Sequence, residues 1–232
     1  MTGITRKTRF STGALIRWSG LAAVAGGLIF AGIQPIHPPD YLASVTSGTW
    51  ATFMYFKLAM CLLFLVGITG IYSRQAERAG WIGLAGFALL IVAWFLQTGF
   101  IFTEGFILPV LAGAAPLYVE SFLTIANGTQ PTVDIGPAAA LYGVAGIFYM
   151  LGGLVFGIAT VRAGVLPRTP AIVLAVAAVL TPLAALLPHE IQRLAAVPVA
   201  LGLAWLGYAL WSIRSNTARS ELSPSVAHAG AK

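Results

Sequence analysis

Two long apolar runs joined by a short charged link decide the fold. The first run is WATFMYFKLAMCLLFLVGITGIY (50–72), the link is SRQAERAG (73–80), and the second run is WIGLAGFALLIVAWFLQTGFIF (81–102). Each run supplies the roughly 20 apolar residues that an α-helix needs to cross about 30 Å of hydrocarbon. A strand of a membrane barrel would alternate polar and apolar residues, and these runs do not. The stretch therefore predicts two transmembrane helices joined by a polar turn.

The whole chain has the composition of a membrane protein. Of its 232 residues, 58% are hydrophobic and 9% are charged, and the mean hydropathy is +0.88. A soluble domain carries roughly 25% charged residues. The net charge is +6, but the basic residues flank the apolar runs and form no continuous polar face. We therefore expect contact with a membrane and no nucleic-acid partner. The single cysteine, Cys61, excludes an intramolecular disulfide.

Four further apolar runs bring the predicted spans to six. The expected fold class is an all-α, polytopic transmembrane bundle that forms one domain over residues 1–213. The spans are predicted at 17–35, 50–72, 81–102, 138–161, 170–187 and 191–212. Residues 214–232 are small and polar and include a proline, so they predict a disordered cytoplasmic tail.

Charge predicts the orientation. With six spans both termini share a side, and that side carries most of the basic residues: Arg6, Lys7, Arg9, Arg17, Arg74, Arg78, Arg162, Arg168, Arg214, Arg219 and Lys232. The opposite side has only Lys57 and Arg193. The positive-inside rule then puts both termini in the cytoplasm. The tryptophans agree, with three predicted at the inner boundary and one at the outer: Trp18, Trp81 and Trp211, and Trp50. Although RKTRF resembles the start of a signal peptide, Arg17 interrupts the run that follows, so we expect the first helix to be retained.

The connections differ in length. The two cytoplasmic links, 73–80 and 162–169, both contain Arg-Ala-Gly, which allows the two hairpins to be a duplicated unit. The outer loop 103–137 is long. Within it, PLYVESFLTIANG predicts an amphipathic helix over 116–127, either in the membrane surface or over the bundle.

Small residues recur four apart inside the spans, which lets helix backbones approach closely. The pairs are Gly153 with Gly157, Ala22 with Gly26, and Ala23 with Gly27. Packing within one bundle explains them. A homodimer seam, or contact with another membrane protein, is the alternative.

Lys57 is the strongest candidate functional residue, because an ionisable group inside a membrane is costly. It lies about 10 Å into the second span by helical rise. Glu104 is its expected partner, and Gln97 shares a face with Glu104. Lys57 either snorkels outward and tethers two helices, binds an anionic amphiphile such as a fatty-acid head group, or relays protons with Glu104. The predicted ligand-binding set, with aromatic residues facing the cation, is Lys57, Glu104, Gln97, Tyr55, Phe53 and Trp50.

Two histidines lie at outer corners of the predicted bundle, in the stretches QPIHPPDY and LLPHEIQR. His37 and His189, with Asp40 and Glu190, are ligand types that suit zinc or another divalent ion. No two of them have chelate spacing, however, and prolines flank both corners. We therefore expect solvated corner residues, with Glu190 paired to Arg193, and no metal.

The order of features resembles a group of small, uncharacterised bacterial membrane proteins with six spans. The residues that carry the resemblance are HPPD after the first span, GIYSRQAERAG, RAGVLPR and GLAWLGYALW. The resemblance covers most of the chain and implies a location in the bacterial cytoplasmic membrane. It implies no activity, cofactor or catalytic residue.

Three functions remain open. The leading expectation is a non-enzymatic protein without a cofactor, which binds or transports a lipophilic or amphiphilic small molecule in an outer-leaflet pocket and has membrane lipids as partners. One alternative is a structural or accessory subunit of a membrane complex. The other is a metal-dependent enzyme at the outer face, which requires His37 and His189 to meet. The chain has no nucleophile elbow, Walker loop or dinucleotide fingerprint.

Overall fold

The computed structural model describes residues 12–125, 129–186 and 192–221, and these residues form helices and no strands. The helices are α1 (Thr12–Ile33), α2 (Leu42–Val45), α3 (Gly48–Phe102), α4 (Leu108–Leu111), α5 (Pro116–Thr124), α6 (Ala138–Ala163), α7 (Arg168–Leu180) and α8 (Val197–Glu221). Short 3-10 turns cover Gln34–Ile36, Thr181–Leu186 and Arg193–Ala196, and a π-helical turn covers Thr103–Ile107. The all-α prediction is confirmed.

The long helix α3 is a hairpin that folds back at Gly80. Gly80 has φ 58° and ψ −155°, a region of the backbone map open to glycine alone. The rings of Tyr72 and Phe87 stack across the turn at 4.5 Å, and at the far end Lys57 meets Glu104. We call residues 48–79 the first leg and residues 81–102 the second leg, and these contacts show that the legs are antiparallel.

Six helical segments of the described chain pack in sequence order into a closed ring. The first leg packs antiparallel to α1, because Gly67 lies against Ala23 and Gly26 lies against Phe64. The second leg packs against α6, α6 against α7, α7 against α8, and α8 returns to α1. The hairpin turn of α3 at Gly80 and the end of α6 at Gly164 lie together, and we call this half of the bundle the closed end.

Glycines set the close approach of neighbouring helices. Gly157 of α6 lies against the backbone of Ala171 in α7, and Gly153 lies against Ala178. The small-residue spacing predicted for the fourth span is therefore used inside the bundle. Gly164 ends α6 in the left-handed conformation, as its counterpart Gly80 ends the first leg with a positive φ. Both Arg-Ala-Gly motifs thus make turns through their glycine.

Four stretches are long and apolar enough to cross a membrane: Thr12–Ile36, Gly48–Leu111, Ala138–Ala163 and Arg193–Ile213. The fifth predicted span differs, because α7 ends at Leu180 and continues as a 3-10 turn. Pro182 follows directly and cannot donate the backbone hydrogen bond that an α-helix needs. The last helix, α8, continues to Glu221, although the disordered tail was predicted to begin at residue 214. Residues 222–232 lie outside the described range.

The prediction that Trp50 lies at the outer membrane boundary is wrong. Trp18 and Trp81 are 68% and 84% exposed, as expected of residues at a membrane boundary. Trp50 is instead 0% exposed, and its indole Nε1–H donates to the backbone carbonyl of Glu104 at 3.0 Å. Ser47 starts α3 just before it, accepting the Trp50 backbone N–H with its side chain. Trp50 is therefore a core residue that joins the two legs.

A helix does form in the long loop, where α5 begins with Pro116 in its first turn. The hydroxyl of Ser121 is buried and accepts the backbone N–H groups of Thr132 and Val133. This contact ties the returning segment of the loop to α5. Residues 126–128, which include the predicted end of this helix, lie outside the described residues.

Candidate functional site

A cavity of about 480 Å³ lies between the helices at the end of the bundle opposite the closed end. We call this half the open end. The cavity draws residues from α1 and the loop after it, both legs of α3, α6, and the turns that follow α7 and precede α8. Its main polar and aromatic lining residues are Phe30, Gln34, His37, Asp40, Lys57, Trp94, Gln97, Glu104, Tyr142, Tyr149, Thr181, Gln192 and Arg193. Its volume is within the range of small-molecule sites in proteins.

An ion pair crosses the cavity wall between the two legs. The Lys57 ammonium donates to the Glu104 carboxylate at 2.9 Å, and the two side chains are only 17% and 11% exposed. The π-helical turn Thr103–Ile107 carries Glu104. Such turns leave carbonyl groups without their usual helical partners and are frequent at functional sites; here the Glu104 carbonyl accepts the Trp50 indole. The pair predicted from the sequence is therefore present, and the backbone around it is fixed as well.

His37 extends this pair toward the loop after α1. Its Nδ1 lies 2.6 Å from the carbonyl oxygen of Pro38, so Nδ1 carries the hydrogen and donates. Its Nε2 is left to accept from the Lys57 ammonium, 3.4 Å away. Burial, together with the positive charges of Lys57 and Arg193, lowers the pKa of His37 to about 3. The imidazole is therefore neutral at physiological pH.

A second ion pair completes the polar wall. The Arg193 guanidinium, in the turn before α8, donates to the carboxylate of Asp40. The other Asp40 oxygen lies 4.0 Å from Nδ1 of His37. The groups thus form one chain from Arg193 through Asp40, His37 and Lys57 to Glu104, and the chain connects α1, both legs and α8.

The histidine corner differs from its prediction. His37 and Asp40 were expected to be solvated, but their side chains are 5% and 8% exposed. Arg193 contacts Asp40, and its expected pairing with Glu190 stays a prediction. The cause is the folding of α8 beside α1, which brings residues distant in sequence together. His189 and Glu190 lie outside the described residues.

Within the described ranges, no group of three histidine, cysteine or acidic side chains is placed to hold a metal ion. Both ring nitrogens of His37 already have protein partners, Pro38 and Lys57. A metal ligand needs a free ring nitrogen, so His37 would have to give up one of these contacts to bind an ion.

Aromatic rings form the inner floor of the cavity. Trp94 on the second leg contacts the rings of Phe64 at 4.5 Å, Phe30 at 5.6 Å and Tyr149 at 5.9 Å. The Trp94 indole nitrogen is buried without a hydrogen-bond partner among the described residues. Trp94 precedes Glu104 by ten residues, so the floor lies about 15 Å below the ion pair by helical rise.

The structure brings together half of the predicted ligand-binding set. Lys57, Gln97 and Glu104 all line the cavity. Trp50 and Phe53 instead lie behind the wall, where each contacts the edge of the His37 ring at 5.9 Å. Tyr55 points outward, 55% exposed. Lys57 is held by Glu104 and His37 and not, as predicted, by aromatic faces.

The aromatic floor was missed, although the sequence carries a signal for it. Trp94, Gln97, Ile101 and Glu104 follow helical spacing on one face of the second leg, and all four line the cavity. Extending the polar stripe by three residues would have included Trp94. The other floor residues lie on separate helices and carry no such signal.

No family model, curated protein or solved structure matches this chain.

Proposed function

We propose that this protein is a six-span integral protein of the bacterial cytoplasmic membrane with both termini in the cytoplasm. Four apolar stretches of spanning length support the proposal. The longest of them, Gly48–Leu111, folds into a hairpin at Gly80, so it supplies two antiparallel segments. The up-and-down ring returns the first and last helices to the closed end, where the basic residues predicted to be cytoplasmic are concentrated.

The cavity of this protein binds or transports an amphiphilic small molecule. The observation that carries this function is the graded lining of the cavity: ion pairs at the mouth and aromatic rings at the floor. A molecule with one polar and one apolar end matches this gradient, because each end meets an environment like its own. The accessory-subunit alternative calls for no cavity at Lys57, and the engaged nitrogens of His37 do not favour the metal-enzyme alternative.

Filling the cavity tests this function. Gly146 lines the cavity, and an added Cβ there meets no atom within 4 Å, so the backbone at this position accepts a side chain and Gly146→Phe is the variant chosen to fill the cavity. Gly143 on the same helix has the same free space but is not part of the lining. Gly143→Phe is therefore the matched control.

Native mass spectrometry of gently purified protein gives the readout. We expect wild type and Gly143→Phe to retain one defined amphiphile, and Gly146→Phe to lose it while eluting as a folded protein. If all three release the same unspecific lipids, the binding function is wrong.

A further inference from the structure

The charges that line the cavity cancel. Among the described lining residues there are two cations, Lys57 and Arg193, and two carboxylates, Glu104 and Asp40. Each cation already contacts one carboxylate. His37 between the pairs is neutral, because its pKa is held far below physiological pH. The formal charge of this lining is therefore zero.

A charged head group has no free counter-charge in such a lining. An anion could reach the Lys57 ammonium only by displacing Glu104 from its 2.9 Å contact, which would leave a largely buried carboxylate unpaired. A cation meets the same obstacle at either carboxylate and is repelled by Lys57 and Arg193. In both cases the ligand would also lose its own hydration without compensation.

An uncharged polar group has a partner that is free. The Gln97 side chain lines the cavity between the ion pair and the aromatic floor, and it has no hydrogen-bond partner in the described part of the chain. Its amide both donates and accepts. A hydroxyl or a carbonyl oxygen on a ligand can therefore bond to Gln97 while both ion pairs stay intact.

We infer that the cavity selects an amphiphile with an uncharged, hydrogen-bonding head group, such as an alcohol or an amide, held by Gln97 with its apolar part against Trp94. This inference rests on the proposed binding function and replaces the anionic ligand expected from Lys57 alone. Lys57 and Glu104 are then wall residues that exclude charged molecules.

Three probes that share one chain and differ only in the head group test the inference: 1-dodecanol, dodecanoate and dodecylammonium. Thermal unfolding of the purified protein in lipid nanodiscs is measured at neutral pH with each. At about tenfold the dissociation constant, dodecanol is expected to raise the Tm of the wild type by about 3–6 °C. Dodecanoate and dodecylammonium are expected to leave it unchanged. Gln97→Leu, which keeps the size but removes both hydrogen-bonding groups, should lose the dodecanol shift.

The Gly146→Phe variant separates the outcomes. If a probe raises the Tm of Gly146→Phe as much as that of the wild type, the probe acts on the bilayer in general. That result counts against a ligand in the cavity. If dodecanoate or dodecylammonium stabilises the wild type more than dodecanol and Gly146→Phe abolishes that shift, the inference fails while the binding function stands. If none of the probes distinguishes wild type from Gly146→Phe, and no co-purified amphiphile is found, the binding function fails as well.

Discussion

The closed and open ends of the bundle are held together by different forces. At the closed end, helical glycines lie directly against neighbouring backbones; a Cβ on Gly20 would sit 2.6 Å from the carbonyl oxygen of Gly207. At the open end, a Cβ on Gly32, Gly99 or Gly146 would meet nothing within 4 Å, although Gly105 there lies against Met54. The helix ends there are joined by ion pairs.

This difference explains how one ring of helices both holds together and encloses a cavity. Apolar helices in lipid associate mainly through close packing, since lipid removes the hydrophobic drive between them. Separating the helices to make room at one end forfeits that packing locally. The chain Arg193–Asp40–His37–Lys57–Glu104 joins the separated helices by polar contacts instead. Three predictions test this division.

Breaking the ion pair at the open end should have the largest effect. Lys57→Met leaves the Glu104 carboxylate, 11% exposed, without its cation, and loss of one partner of a buried pair costs about 3–5 kcal/mol. The double variant Lys57→Met/Glu104→Gln should recover part of this loss, because no charge is then left unpaired. The measurement is the free energy of unfolding in mixed micelles, analysed as a double-mutant cycle.

Arg78 in the exposed turn at the closed end provides the control, and Arg78→Met should change the free energy of unfolding by less than about 0.5 kcal/mol. If the Lys57 single variant and the double variant are equally unstable, the charge of Glu104 carries no penalty. The ion pair would then not be the tether of the open end.

The next largest effect should come from adding one methyl group, which should change the free energy of unfolding differently at the two ends. Gly157→Ala places a Cβ 2.6 Å from the carbonyl oxygen of Ala171, and overpacking of this kind costs about 3 kcal/mol at the upper end of its usual range. Gly146→Ala, on the same helix at the open end, should instead gain up to about 1 kcal/mol from helix propensity. Unfolding followed by circular dichroism compares the two; equal losses at both positions would contradict the proposed difference in packing.

The fold could be predicted well from sequence because its signals are local. The apolar runs predicted the helices within a few residues, and Gly80 and Gly164 marked the turns. The predicted C-terminal ends of α7 and α8 are wrong. Pro182 ends α7 early, whereas α8 continues to Glu221. A helix end depends on a few bonds of small energy, which composition over a whole run does not resolve.

The site could be predicted only where one helix face carried it. Gln97 and Glu104 share a stripe, and an opposite charge in the neighbouring span identified Lys57 as the partner of Glu104. The contact between Asp40 and Arg193 depends on α8 returning beside α1, which no local pattern specifies. For the same reason the sequence treated His37 as a solvated corner, whereas the ring closure buries it.

The smallest of the three expected effects is a pH dependence of stability that comes from His37. Its pKa is lowered to about 3 in the folded protein, first by burial and then by Lys57 and Arg193, against about 6.5 in an unfolded chain. Below pH 6.5 the unfolded state binds a proton that the folded state does not, so stability is full above this value and falls as the pH decreases. Between pH 7 and 5 the loss should be about 2 kcal/mol.

The variant His37→Gln isolates this contribution, because any other titrating group remains present in both proteins. Unfolding free energies of the two proteins at pH 7, 6 and 5 give the slope directly. A wild-type slope that matches that of His37→Gln would mean that the imidazole accepts its proton in the folded state. The charges around it would then rearrange on protonation, and the open end would be held less rigidly than the ion pairs indicate.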